Sequence, residues 1–162
     1  MFGRLGVFSL RALDAEFVGD ATASWPVLVR RLAEGGNVHG DAVAGAMRLW
    51  AYGKLIGNSD MHAGNLSFVS GEGRPYRLAP AYDMLPMAFA PRSSGAIVDS
   101  LPAAALSSEV DGVIWREALA LALAEQFYAL VSAAEFSPRF TPCLAALRGH
   151  LDDATTRIGR LG

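Results

Sequence analysis

The sequence feature that most constrains the fold is a polar stretch, GNSDMHAGNLSF at residues 57–68, placed between a helical pattern and a hairpin pattern. Apolar residues recur at helical spacing through residues 41–56, and Gly57 is a typical helix stop. Residues 66–69 and 75–78 each form a short strand pattern, with a glycine-rich turn between them. The polar residues are therefore expected in a loop between a helix and a hairpin.

The hairpin pattern has a geometric consequence for a later carboxylate. A hairpin brings the chain back to the point where its first strand began. Asp83 follows five positions after Leu78, which ends the second strand pattern. We therefore expect Asp83 to lie close to Asn65 and to Asp60, although Asp60 precedes it by twenty-three positions.

The rest of the chain predicts a mainly α fold with one small β-hairpin. Helical patterns cover residues 25–34, 113–132 and 141–158 in addition to the one before Gly57. Residues 86–102 are rich in Pro, Ser and Gly and are expected to form an irregular loop. Because the sequence contains no repeat and no linker, residues 1–162 are interpreted as one domain.

The composition excludes several classes of function. A net charge of −2 does not favour non-specific electrostatic binding of nucleic acid, which requires a basic face. The most apolar run, residues 118–130, is interrupted by Glu125 and is too short to span a membrane, and the N-terminus lacks a signal-peptide pattern. The single cysteine, Cys143, fits a reducing compartment. We therefore expect a cytoplasmic protein that contacts neither a membrane nor nucleic acid directly.

Three polar side chains in or after the loop suit phosphoryl transfer. In such reactions a carboxylate orients the hydroxyl nucleophile, and Mg²⁺, which prefers oxygen ligands, holds the phosphates. Asp60 as the base, with Asn65 and Asp83 as oxygen ligands, is such a set, and its spacing follows that of protein-kinase loops. The alternative is a structural turn, because Asp and Asn often hydrogen-bond their own backbone in loops.

Two motifs together resemble a known family. LIGNSDMHAGNLSF followed by YRLAPAYDMLP resembles the C-terminal lobe of the HipA-like serine/threonine kinases of bacterial toxin–antitoxin systems, and LGVFSLRALDAEFVG near the start is similar to the same family. The similarity runs along residues 3 to about 90 and more weakly through the helical remainder. The resemblance implies a protein-kinase-like C-terminal lobe that uses ATP and Mg²⁺.

The resemblance also implies a role for each site residue. Asp60 would be the catalytic aspartate, and Asn65 and Asp83 would be the Mg²⁺ ligands that help to bind the nucleotide. His62 would lie near the ATP phosphates, in a catalytic and cofactor-binding role; its alternative is a loop histidine that hydrogen-bonds the backbone. Gly64 departs from relatives that carry Lys there, which removes one potential phosphate contact.

Part of a kinase is missing from the sequence before the polar loop. A kinase needs a glycine-rich loop over the phosphates and a lysine on a strand. Lys54 is the only lysine in residues 1–56, and it lies on a helical pattern. We therefore expect residues 1–162 to be the C-terminal lobe without its nucleotide-covering N-terminal lobe, and we expect little activity from the isolated chain.

The resemblance further implies the class of partner. Members of the family phosphorylate protein substrates, among them aminoacyl-tRNA synthetases, and either are neutralised by a DNA-binding antitoxin or carry a DNA-binding segment fused at their own N-terminus. Two alternatives stay open: a small-molecule phosphotransferase of the aminoglycoside or choline kinase type, whose loop is similar to SDMHAGN, and a non-catalytic lobe that binds an antitoxin partner.

A few other residues carry structural expectations. Tyr82 beside Asp83 is interpreted as a packing residue that holds the metal loop, and Asn58 as a residue that shapes the turn. His39 and His150 are expected to be exposed. Ser24 is expected to cap the helix that begins at residue 25.

Overall fold

A three-stranded antiparallel sheet lies in the part of the fold that carries most of the polar loop. The computed structural model describes residues 5–71, 73–116 and 118–161. The strands are β1 (Gly6–Ser9), β2 (Ser67–Ser70) and β3 (Arg77–Leu78), in the order β1-β2-β3. The expected hairpin is thus present as β2 and β3, while residue 72 of its turn lies outside the described residues. The prediction missed β1.

The register of the sheet places three apolar residues on one face. Phe8 lies opposite Phe68, which in turn lies opposite Leu78. Since side chains alternate across a strand, these three residues share one face of the sheet. Phe68 on the central strand is fully buried, whereas Phe8 on the edge strand β1 is 38% exposed.

Over residues 5–56, the helices are α1 (Leu10–Phe17), α2 (Trp25–Glu34) and α3 (Asp41–Leu55). The bounds of α2 and α3 confirm the helical patterns found before Gly57. The Ser9 hydroxyl oxygen caps α1 by accepting a hydrogen bond from the N–H of Ala12 at 3.2 Å. Ser24 is the N-cap residue of α2, as expected, but its hydroxyl makes no capping bond and is buried without a hydrogen-bond partner in the described part of the chain.

The remaining helices are α4 (Gly112–Arg116), α5 (Ala118–Ala133) and α6 (Thr141–Ile158), with short 3₁₀ turns at Met87–Phe89 and Pro138–Phe140. The helix expected over residues 113–132 corresponds to α4 and α5, and residue 117 between them lies outside the described residues. The expected helix over residues 141–158 is confirmed as α6. About half of the chain is therefore helical, with a small sheet.

The chain divides into two compact units. The first comprises Met1–Trp50 and Met61–Asp83, and the second comprises Ala51–Asp60 and Met84–Gly162. The core of the first unit consists of buried apolar side chains, among them Leu10, Trp25, Leu28, Leu32 and Phe68. The second unit has its own core, which includes Ile56, Trp115, Cys143, Leu147 and Leu151. Among the described residues, no helix combines the length and apolar character needed to cross a bilayer.

Candidate functional site

The polar loop begins at a well-defined helix end in the second unit. Gly57 adopts φ +75°, a left-handed conformation that glycine reaches without strain. The N–H of Asn58 donates to the carbonyl oxygen of Gly53 at 2.8 Å, and the N–H of Gly57 donates to that of Lys54 at 3.4 Å. These two bonds form a Schellman motif, which ends α3 and turns the chain into the loop.

Asn58 fixes the backbone at Asp60. Its side-chain oxygen accepts a hydrogen bond from the N–H of Asp60 at 2.9 Å, and the Asn58 side chain is buried. The turn-shaping role predicted for Asn58 is confirmed. The Asp60 side chain itself is exposed, so its carboxylate is accessible to a ligand.

The next part of the loop belongs to the first unit and is held by hydrogen bonds to its backbone oxygens. The indole N–H of Trp25 donates to the carbonyl oxygen of His62 at 3.0 Å. The backbone N–H groups of Arg11 and Leu10 donate to Ala63 and Leu66 at 2.9 and 2.7 Å. The start of α1 and a buried tryptophan therefore fix the loop on both sides of Asn65.

His62 and Gly64 are coupled by their geometry. The Nδ1 atom of His62 accepts a hydrogen bond from the N–H of Gly64 at 3.0 Å, which is the backbone contact of the structural alternative for this histidine. Because Nδ1 accepts, the neutral ring carries its proton on Nε2. A Cβ added at Gly64 would lie 2.8 Å from Cε1 of His62. Glycine at this position therefore allows the ring to fold back over the loop.

Tyr82 ties the segment of Asp83 to the segment of Asn65. Its hydroxyl donates to the carbonyl oxygen of Gly64 at 2.8 Å and lies 2.8 Å from the hydroxyl of Ser67. Tyr82 therefore holds this region, as expected, but it does so by hydrogen bonds, since its side chain is 43% exposed. Since Gly64 precedes Asn65 and Tyr82 precedes Asp83, the two candidate ligands follow residues that are in direct contact.

Asp83 has an unusual backbone. Its φ is +55°, and among the described residues other than glycine it alone has a positive φ. This left-handed region is unfavourable for residues with a Cβ, although Asp and Asn tolerate it better than most. Such strain persists where the surrounding structure imposes it and often marks a functional site. The Asp83 side chain is exposed, and the left-handed backbone determines the direction in which its Cα–Cβ bond leaves the chain.

The sequence-predicted site residues are divided between the units. Asp60 belongs to the second unit, and His62, Asn65 and Asp83 belong to the first. Asn65 is half-buried, whereas His62 and Asp83 are exposed. Within the described part of the chain there is no group of three or more His, Cys, Asp and Glu that would suit a metal. The site predicted at Asn65 and Asp83 has one amide and one carboxylate, so it is not the type of site that this criterion describes.

Sequence reasoning missed several residues that build this region. Nothing in the local sequence indicates that Trp25 bonds His62, since thirty-seven positions separate them. The expectation of exposure is wrong for both histidines, because His39 is half-buried and His150 is 8% exposed. The signal for His150 was present: it lies on α6 in the same periodic stripe as buried Cys143, Leu147, Leu151 and Ala154.

The family of the chain follows from its sequence over most of these elements. The sequence model of the HipA-like C-terminal domain matches residues 12–140, from within α1 to the end of the second 3₁₀ turn. The chain belongs to the HipA-like C-terminal domain family. It is similar to Toxin YjjJ of Escherichia coli (strain K12), with 44% identity over 130 residues. The match covers 80% of this chain and 28% of that toxin, so the chain spans little more than a quarter of the relative's length.

Proposed function

We propose that this chain carries the catalytic loop and metal ligands of a HipA-type serine/threonine protein kinase, which transfers the γ-phosphoryl group of ATP to a protein hydroxyl. The observation that carries the proposal is the pair of Tyr82 hydrogen bonds, which join the residues preceding Asn65 and Asp83. The left-handed backbone of Asp83 supports it further. The chain would then have the fold of a kinase C-terminal lobe.

Asp60 is assigned the role of base. Its backbone N–H is satisfied by Asn58, and its carboxylate is exposed. In phosphoryl transfer, a carboxylate placed in this way orients the acceptor hydroxyl and accepts its proton. Little covalent chemistry is required of the protein, so correct placement of this carboxylate is its main contribution.

Asn65 and Asp83 are assigned to Mg²⁺ and thereby to the nucleotide. An amide oxygen and a carboxylate are hard donors, which suits this ion, and Mg²⁺ commonly takes one or two protein ligands beside phosphates and water. When bound, the ion neutralises charge on the phosphates. His62 is assigned to the phosphates as well, because its neutral tautomer presents an Nε2–H donor.

The domain assignment and partners extend the proposal. We assign residues 1–162 to the C-terminal lobe and assign the covering of the phosphates to an N-terminal lobe outside these residues. The relative in Escherichia coli is a toxin by name, and we infer a toxin role here too. The family resemblance points to a protein substrate such as an aminoacyl-tRNA synthetase and to a DNA-binding antitoxin as partner. We place the reaction in the cytoplasm, where ATP is available.

The metal assignment is testable without catalysis. Mn²⁺ takes the same oxygen ligands as Mg²⁺ and broadens the NMR signals of nearby nuclei. On adding Mn²⁺ and ATP to the chain, we expect selective broadening of the Asn65 side-chain amide, and its loss in Asp83→Asn. Asp99→Asn, an exposed aspartate in a loop of the second unit, is the control and should leave the broadening intact. Equal broadening in Asp83→Asn would contradict the ligand assignment.

The activity is testable in a chimera. We would replace the matching 130-residue segment of the Escherichia coli toxin with the segment from this chain and measure transfer from labelled ATP to serine and threonine in a cell extract. Asp60→Asn should reduce transfer by about 10³-fold, within the usual range for losing a positioned acid–base group. Ser59→Ala, an exposed neighbour, should have little effect.

The same assay separates the competing functions. Transfer to choline or an aminoglycoside in place of protein would favour the small-molecule phosphotransferase, although membership of the HipA-like family favours the protein kinase. Transfer that survives Asp60→Asn would refute the base assignment. A folded chimera without any transfer would favour the partner-binding lobe.

A further inference from the structure

His150 on α6 is a buried histidine whose two ring nitrogens both face carbonyl oxygens. Its Nδ1 lies 2.9 Å from the oxygen of Pro102, and its Nε2 lies 3.1 Å from the oxygen of Lys54. A carbonyl oxygen only accepts hydrogen bonds, so each contact requires an N–H on the ring. Neutral imidazole has one N–H and imidazolium has two. Only the protonated ring therefore makes both bonds.

One of these bonds holds the helix end from which the loop of Asp60 starts. Lys54 is in the last turn of α3, and its carbonyl oxygen also receives the long 3.4 Å bond from Gly57. The helix end continues directly into Asn58, whose side chain holds the N–H of Asp60. A donor on the Lys54 oxygen thus stabilises a carbonyl that the helix alone leaves weakly satisfied.

The second bond holds the segment that packs against the same turn. Pro102 follows Leu101, and a Cβ added at Gly57 would lie only 2.9 Å from Cδ2 of Leu101. The backbone N–H of Ala88 also donates to the Gly57 oxygen at 3.0 Å. His150 therefore connects two elements that meet at Gly57, and losing either bond loosens the support of that turn.

Charged groups and cavities surround the ring. Lys54 of α3 and His150 line one cavity of about 190 Å³, together with Asn58 and residues of the 101–105 segment. A second cavity of about 410 Å³ brings His150 together with Asp99 of the loop and Asp153 of α6. The charged groups that line these cavities together with His150 are thus one cation, Lys54, and two anions, Asp99 and Asp153.

We propose that His150 is a positioning residue for the loop of Asp60 and that protonation of its imidazole tightens this loop. The proposal concerns backbone order at residues 57–60 and rests on the proposed kinase function only for the catalytic meaning of Asp60. Histidine is the side chain that ordinarily changes charge between about pH 5 and pH 8, so this is the range over which the test is made. The loop is best held in the more acidic part of the range.

The test is amide hydrogen exchange by NMR on the full 162-residue chain without nucleotide. Protection factors at Gly57, Asn58 and Asp60, corrected for the intrinsic effect of pH, should fall about tenfold between about pH 5.5 and about pH 8. The midpoint of the fall should coincide with the titration of the His150 ring signals. His150→Gln, whose side-chain amide keeps N–H donors and does not titrate, should show pH-independent protection.

Two further outcomes decide the proposal. His39→Gln, which removes a half-buried histidine of the first unit, should retain the wild-type pH dependence. Protection that stays constant in the wild type from about pH 5.5 to about pH 8, or that falls equally in His150→Gln, would overturn the proposal. If His150→Gln does not fold, the coincidence of the two wild-type midpoints still decides. Since no ATP is used, failure here is separate from failure of the kinase assignment.

Discussion

The hydroxyl of Tyr82 donates a 2.8 Å hydrogen bond to the carbonyl oxygen of Gly64, across eighteen positions of sequence. The same hydroxyl is 2.8 Å from that of Ser67 at the start of β2. The Tyr82 hydroxyl thus connects β2, the loop residue Gly64 and the segment that carries Asp83. The hairpin brings these segments near each other, and Tyr82 fixes their alignment.

Removing this hydroxyl should weaken the first unit. Tyr82→Phe is expected to lower the free energy of unfolding by about 1 kcal/mol, since Ser67 and Gly64 each lose a partner. Urea denaturation monitored by fluorescence measures the change. Tyr76→Phe is the matched control: its ring packs on Phe8 and its hydroxyl has no hydrogen-bond partner among the described residues, so its effect should stay within about 0.5 kcal/mol. Equal effects of the two changes would contradict the role of Tyr82.

At position 83, the glycine variant should be more stable than the alanine variant, which reverses the usual order of stability. At φ +55° a Cβ is unfavourable, so Asp83→Ala is expected to be about 1 kcal/mol less stable than Asp83→Gly. At Asp152 within α6, the glycine variant should instead be the less stable by about 1 kcal/mol. Thermal unfolding of the four variants gives both comparisons. An alanine variant at position 83 as stable as the glycine variant would show that the left-handed conformation is not maintained in solution.

Replacing glycine by alanine should lower the stability of the protein at Gly57 and raise it at Gly149. Gly57→Ala places a Cβ at φ +75° and within 2.9 Å of Leu101, and should destabilise the protein by more than about 1 kcal/mol. Gly149 lies inside α6 with no atom within 4 Å of an added Cβ, so Gly149→Ala should stabilise by about 0.5–1 kcal/mol. Chemical denaturation of both variants measures the two signs.

The ion pair of Glu125 and Arg148 should make stability depend on acid pH. The Nη1 and Nη2 atoms of Arg148 each donate to a carboxylate oxygen of Glu125 at 2.7 Å. The hydrogen bonds to Arg148 lower the pKa of Glu125 below its ordinary value, against a smaller opposing effect of burial. The pair therefore stabilises the fold above the ordinary pKa of glutamate, and this stabilisation is lost as the pH falls through the lowered pKa.

Arg148→Lys tests this dependence, because lysine does not form the two parallel bonds. Since both side chains are partly exposed, we expect a loss of about 0.5–1 kcal/mol at neutral pH. The difference from wild type should shrink once the pH is below the lowered pKa. Arg139→Lys, for which the described residues provide no ion pair, should change stability little at either pH. A difference for Arg148→Lys that does not vary with pH would contradict the ionic contribution.

Local sequence signals were sufficient for the helices. Helix α3 was identified from apolar spacing and from Gly57, and both act over a few residues. The β2–β3 hairpin was likewise identified from two short apolar runs and a glycine-rich turn. Strand β1 was missed because it pairs with β2 about sixty positions away, and four residues without a flanking turn give no local indication of that pairing.

Side-chain roles were harder to predict than elements. Asn58 was correctly assigned to the turn, because an asparagine commonly bonds the backbone two residues ahead. The Tyr82 and Trp25 bonds depend on which distant carbonyl oxygens the fold presents, and composition does not encode that. The expectation that His150 is exposed is wrong, although its position in the apolar stripe of α6 indicates burial. The assignments of Asp60, His62, Asn65 and Asp83 stay predictions that the chimera and the Mn²⁺ experiment test.

Cys143 allows local opening of the second unit to be measured directly. It is the one cysteine of the chain, it is fully buried, and burial, with a smaller effect of Asp99, raises the pKa of its thiol. A thiol reagent reacts with thiolate that has become accessible. The rate of labelling at Cys143 therefore reports how often α6 opens, without any introduced probe, in the same helix that carries His150.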